Sequence, residues 1–75
     1  MSAPNAREAL RGEIATLRAQ LNRKLKSIAC SADAFAVVSD ARAFQAVTTV
    51  TRDAVDAIGL AGMLAQAVET LERLP

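Results

Sequence analysis

The sequence predicts an all-α fold, an antiparallel helical hairpin that dimerises into a four-helix bundle, and three observations predict it. First, the composition is that of long helices. Hydrophobic residues make up 52% of the chain and aromatics only 3%, and Pro4 and Pro75 lie at its extreme ends. Alanine, leucine, arginine, glutamine and glutamate, the best helix formers, dominate. Second, apolar residues recur in alternating steps of three and four through both halves, the period of an amphipathic helix. Third, the two halves carry opposite charge. A three-helix bundle is the alternative.

The first helix is expected over about residues 3–38. Ser2 or Asn5 can cap it, and Glu8, three residues after Asn5, completes a capping-box pattern. Its apolar stripe is Leu10, Ile14, Leu17, Leu21, Leu25, Ile28, Ala32, Phe35 and Val38. In heptad letters, with Ile14 at a, Leu10 and Leu17 are d, Arg7 is a, and Lys24 and Ser31 fall at d. The apolar signal moves to the neighbouring e positions at Leu25 and Ala32, the drift of a straight 3.6-residue helix against a strict heptad. Two readings follow for Lys24 and Ser31. Either they are polar residues that fix register or oligomer state, or the helix has turned enough for Leu25 and Ala32 to replace them.

The chain is expected to reverse at residues 39–40, where Ser39 or Asp40 can accept from the free amides of the next helix. The rival break, Cys30-Ser31-Ala32-Asp33, belongs to the three-helix alternative. The second helix then covers about residues 41–73. Its stripe is Val47, Val50, Ala54, Ala57, Ala61, Leu64, Val68 and Leu71, widened by Phe44, Ile58 and Ala65 on one side and by Leu60, Ala67 and Leu74 on the other. So broad an arc exceeds what one partner helix can cover. The β-branched run Val47 to Thr51 and the glycines Gly59 and Gly62 oppose helix locally. Packing is expected to override both, with room for a kink near Gly59.

Charge tests the pairing. Residues 1–26 carry Arg7, Arg11, Arg18, Arg23, Lys24 and Lys26 against Glu8 and Glu13, a net +4; the remainder carries −3. Folding about Ser39 sets residue i level with about residue 79 − i. That places Arg23 by Asp56, Lys26 by Asp53 and Arg7 by Glu72. It also seats Leu17, Leu21 and Leu25 against Gly62, Ile58 and Ala54, large against small. Exposed ion pairs contribute about 0–1 kcal/mol each, so they select register more than they stabilise.

Chemistry finds little to work with. The chain has no histidine and one cysteine, Cys30, so no disulfide forms within it and a four-ligand zinc shell is out of reach. Cys30 reads as small apolar filler, Asp53 and Asp56 as a solvated face with ion pairs, and Gly59-Leu60-Ala61-Gly62 lacks the spacing and lysine of a phosphate loop. No catalytic residue, cofactor or metal is expected, and the protein is not expected to be an enzyme. Arg7, Glu8, Arg11 and Glu13 stand where a signal peptide needs apolar residues, and the charge-free run Ala57 to Val68 falls short of the ~20 residues of a membrane span. A cytoplasmic protein without a membrane partner is the expectation.

With 75 residues, a domain buries only about 60% of its unfolded surface and is marginal without support. Self-association is the device left open. The expected function is therefore a small protein–protein interaction module, an adaptor, regulator or chaperone-like protein. Its partner is a second copy or a helical protein. The association face would comprise Leu10, Ile14, Leu17, Leu21, Phe35, Phe44, Val47, Ile58, Leu64, Val68 and Leu71. The alternative is a nucleic-acid-binding regulator contacting phosphates through Arg18, Arg23, Lys24 and Lys26, although no aromatic residues are interleaved with them for base stacking. In outline such a hairpin resembles small dimeric regulators and the hairpin chaperones of bacterial secretion systems, a likeness of architecture alone.

Overall fold

A computed structural model describes residues 5–75 and contains two α-helices, α1 (Ala6–Phe35) and α2 (Asp40–Arg73), with no strand among the described residues. The hairpin stands, and the three-helix alternative does not, because α1 runs unbroken through Cys30-Ser31-Ala32-Asp33. Asn5 caps α1: its extended backbone lets the side-chain oxygen accept from the Glu8 amide at 2.8 Å. Ser2 lies outside the described residues.

α1 ends at Phe35, three residues before the expected boundary. No glycine closes it; the Val37 amide donates to Ala34 O at 3.1 Å in a tightened last turn, the usual way of satisfying a terminal carbonyl without a left-handed residue. Ser39 takes the N-cap position of α2 in extended backbone, but its side chain makes no capping hydrogen bond. Reversal therefore occupies residues 36–39, close to Ser39.

α2 passes through Gly59 and Gly62 without interruption. A Cβ built at either glycine meets nothing within 4 Å, so neither serves a close approach of α1. The β-branched run stays helical, and within it Thr48 and Thr51 return their hydroxyls to the carbonyls of Phe44 and Val47 at 3.1 and 2.8 Å.

The helices meet along strict heptads. In α1 the inward positions are Leu10, Ile14, Leu17, Leu21, Lys24, Ile28 and Ser31, while Leu25 is 53% exposed and Ala32 is exposed. The expected drift does not occur: Lys24 and Ser31 stay in the seam. A supercoiled pair underwinds each helix toward 3.5 residues per turn, which holds the heptad to the contact. In α2 the inward positions are Ala46, Val50, Asp53, Ala57, Leu60, Leu64, Ala67, Leu71 and Leu74, with Ala46 and the others at most partly exposed. Of the stripe read in the sequence, Val50, Ala57, Leu64 and Leu71 take seam positions, whereas Val47, Ala54, Ala61 and Val68 lie beside the seam, and there the structure corrects it. Ala54 is half-buried, and Val47, Ala61 and Val68 are exposed. The flank containing Leu60, Ala67 and Leu74 has the larger side chains, and it is the one turned to α1.

Arg7 Nη2 donates to Leu74 O at 3.1 Å and to Pro75 O at 3.0 Å, so residue i lies level with about residue 81 − i. Leu17 then falls level with Leu64, Leu21 with Leu60, and Ile14 with Ala67. Among the described residues Leu17, Ala57 and Ala67 are the buried apolar ones, and no large side chain is below 2% exposed. The Cα trace extends 59 × 21 × 13 Å, one helix thick in its smallest dimension. Protein domains usually close their core between two packed layers; this chain supplies one.

Candidate interaction surface

Giving each helix heptad letters (Ile14 and Val50 at a) sorts the remaining side chains onto two broad faces. On one, the e and b positions of α2 are Phe44, Val47, Thr51, Ala54, Ile58, Ala61, Ala65 and Val68, again in steps of three and four. The facing edge of α1 contributes Arg11, Ala15, Arg18, Asn22, Leu25, Ala29 and Ala32. Ala32, Phe35, Val47, Val50 and Thr51 line one shallow groove on this side, and Ala15, Arg18, Leu21, Asn22, Leu25 and Leu64 help to line another. Ile58 is 73% and Phe44 75% exposed. α2 is thus a helix with two apolar stripes about 100° apart, of which α1 covers one.

The opposite face is polar. There Glu13, Gln20, Ser27 and Arg23 accompany Thr49, Asp56, Gln66 and Thr70; Val55 and Met63 are exposed apolar exceptions, and with Gly59 and Leu60 they line a shallow groove beside Gln20 and Arg23. This sidedness separates the expected association residues. Leu10, Ile14, Leu17, Leu21, Leu64 and Leu71 belong to the seam inside the hairpin. Phe35, Phe44, Val47, Ile58 and Val68 are exposed, and they form the outer surface together with Leu25. Of the two readings open for this stretch, the one that keeps Lys24 and Ser31 in the seam holds, and Leu25 does not replace Lys24. The unbroken three-four spacing through Lys24 and Ser31 was the signal that would have placed it outside.

A polar layer interrupts the seam at mid-height. Asp53 is only 4% exposed. It accepts from the Ser27 hydroxyl at 2.6 Å and lies 3.6 Å from Lys24 Nζ, which reaches Asp56 at 3.0 Å. The Ser27 hydrogen bond holds the Asp53 carboxyl below its ordinary 3.8; burial opposes that shift, and the Lys24 charge adds to it. Asp56, by hydrogen bond and then by charge, holds the Lys24 ammonium above its ordinary 10.5 against the effect of burial.

The expected pairs Arg23–Asp56 and Lys26–Asp53 are therefore replaced. Both acids are met from Lys24 and Ser27, because α1 keeps its heptad register and turns Arg23 and Lys26 to solvent. Arg7 meets the terminal carbonyls rather than Glu72. Leu21 and Leu25 do not seat against Ile58 and Ala54, and Gly62 does not receive Leu17, since the stripe carrying Ile58 faces outward. Asp53 is not on a solvated face, and Cys30 is exposed rather than core filler.

Arg18, Arg23, Lys24 and Lys26 do not share one face. Arg18 lies on the apolar side, Arg23 and Lys26 point outward, and Lys24 is engaged by Asp53 and Asp56. Among the described residues no group of three or more His, Cys, Asp or Glu side chains could hold a metal ion. α2 is long and apolar enough to cross a membrane by length and composition, with a hydropathy of 1.3 over an 18-residue window; the sequence expectation, which counted only the charge-free run, missed this. Comparison with known protein families, with curated proteins and with solved structures finds no match for the chain.

Proposed function

We propose that the protein is a small helical interaction module, neither an enzyme nor a membrane protein, that self-associates in the cytoplasm through the outer apolar stripe of α2. The observation that carries this reading is the second three-four repeat, from Phe44 to Val68, on a helix whose first repeat is already occupied by α1. Surface apolar residues scattered singly need no explanation, but a contiguous stripe marks a contact surface. A one-layer hairpin with so few buried side chains also lacks the core that a stable domain of this size requires. A second copy supplies the missing layer, which gives the antiparallel four-helix bundle.

The test is sedimentation of the full chain across a concentration series, with Ile58→Arg as the interrupting variant. A reversible dimer is expected, converted by Ile58→Arg to a monomer that retains helical circular dichroism. A monomer throughout the series would reject the reading, as would a chain that stays monomeric and partitions onto lipid vesicles or a nonspecific DNA duplex. Binding to DNA through the basic first helix is the weaker alternative, since Lys24 is already paired within the hairpin.

A further inference from the structure

Resting on that reading, we infer that the second copy docks antiparallel, α2 on α2, about a two-fold axis level with Asp56. The inference comes from the order of side-chain sizes along the outer stripe. In an antiparallel pair the b position of one helix meets the e position of the other, so facing residues have a constant sum. With that sum at 112, Phe44 faces Val68, Val47 faces Ala65, Thr51 faces Ala61 and Ala54 faces Ile58, and symmetry repeats each layer. Every layer sets a larger side chain against a smaller one, except that Phe44 meets the medium-sized Val68 at the ends, where the most space is open. Packing of this kind fills volume without voids or overpacking.

The alternatives fit worse. Sliding by one heptad in one direction sets Val47 against Ile58, brings Ala65 level with Asp40 at the start of the partner helix and carries Val68 beyond it. Sliding the other way stacks Ala54 on Ala65 and puts Val47 opposite Glu72. A parallel pair brings Ile58 onto Ile58 but leaves Ala54, Ala61 and Ala65 each facing its own copy, which alternates crowded and empty layers.

A second observation, independent of the stripe, agrees with this axis. The hairpin register places Asp56 of α2 level with Leu25 of α1. Leu25 is an exposed leucine on the same face. An axis at that height brings Leu25 beside its own copy, where an isologous contact buries both. Arg18 then falls level with an alanine of the other copy, Ala32, and not with another arginine.

The stripe is closed at each end by an acid, Asp40 before Phe44 and Glu72 after Val68. In the antiparallel register Asp40 of one copy is level with Glu72 of the other, so like charges meet at both rims. Glu72→Lys converts both meetings to attraction. In a parallel dimer the same substitution only replaces an acid pair with a lysine pair.

The experiment mixes two single-cysteine variants in a Cys30→Ser background, Phe44→Cys and Val68→Cys, under mild oxidation. Disulfide-linked dimers are expected from the mixture and not from either variant alone, and Glu72→Lys is expected to tighten dimerisation severalfold at low salt. If each variant links to itself, or if Glu72→Lys leaves the dimer unchanged, the antiparallel arrangement is overturned while an Ile58→Arg-sensitive dimer still upholds the interaction surface. A chain that never dimerises overturns both.

Discussion

At the scale of single residues, the hairpin depends on a few side chains because so few are enclosed. Leu17 is 4% exposed and sits in the layer shared with Leu64. Removing its isobutyl group loses transfer free energy and leaves a cavity, about 2–4 kcal/mol for such a site. Leu17→Ala is expected to lower the urea midpoint sharply, with the slope of the transition unchanged. Asp53 gives a pH signature. Its carboxyl titrates lower in the folded chain than in the unfolded one, so the unfolded chain takes up protons first as the medium is acidified. The stabilisation it confers is complete above the ordinary 3.8 and is lost as pH falls through the depressed folded value. Asp53→Asn is expected to flatten the melting temperature between pH 5 and pH 3 (about the range in which carboxylates titrate) relative to the parent chain. A parallel loss in both proteins would disprove the assignment. Lys24 acts with the opposite sign, its contribution complete below its ordinary value and lost as pH rises through the elevated one.

At the scale of the helix, α2 carries destabilising residues that its packing does not require. Gly59 and Gly62 face open space, have no positive φ, and lie off both apolar stripes. Each costs about 1 kcal/mol relative to alanine in a helix interior. Gly59→Ala with Gly62→Ala is therefore expected to raise stability by about 2 kcal/mol without changing oligomeric state, as thermal melts and sedimentation would show. α1, by contrast, is well fitted at its start, where Asn5 caps the helix and Glu8 lies in the first turn, favourably placed against the helix dipole. The polar layer of Lys24, Ser27, Asp53 and Asp56 belongs to both helices. Lys24 and Asp53 occupy seam positions where Leu or Ile would pack more favourably, and a slipped alignment that separated Asp53 from Ser27 and Lys24 would leave a buried carboxylate without a partner.

At the scale of the molecule, the proposed dimer makes the hairpin one half of a four-helix bundle. Folding and association are then one equilibrium, and the melting temperature is expected to rise with protein concentration, since whatever binds only the folded state stabilises it. A melting temperature independent of concentration over two decades (about 1–100 μM) would mean that the hairpin carries its own stability. The proposed docking direction can be argued only after the hairpin has told α2's two stripes apart, because either stripe, seen in sequence, is a credible partner for α1.

The sequence by itself determined the helical class, the reversal near Ser39 and the presence of more apolar surface than one partner helix can hide, and it narrowed the α1 cap to Ser2 or Asn5. These follow from local propensity and from period, both of which are written along the chain. Only the tertiary structure decided which edge of α2's broad apolar arc turns inward, and that Lys24, Ser31 and Asp53 remain in the seam while Leu25 does not. That choice depends on rotation about a helix axis, where one heptad position shifts every contact. Rotation is set by the fit of two surfaces at once: α1 keeps its heptad, and on α2 Leu60, Leu64, Leu71 and Leu74 turn inward while Phe44 and Ile58 stay outside.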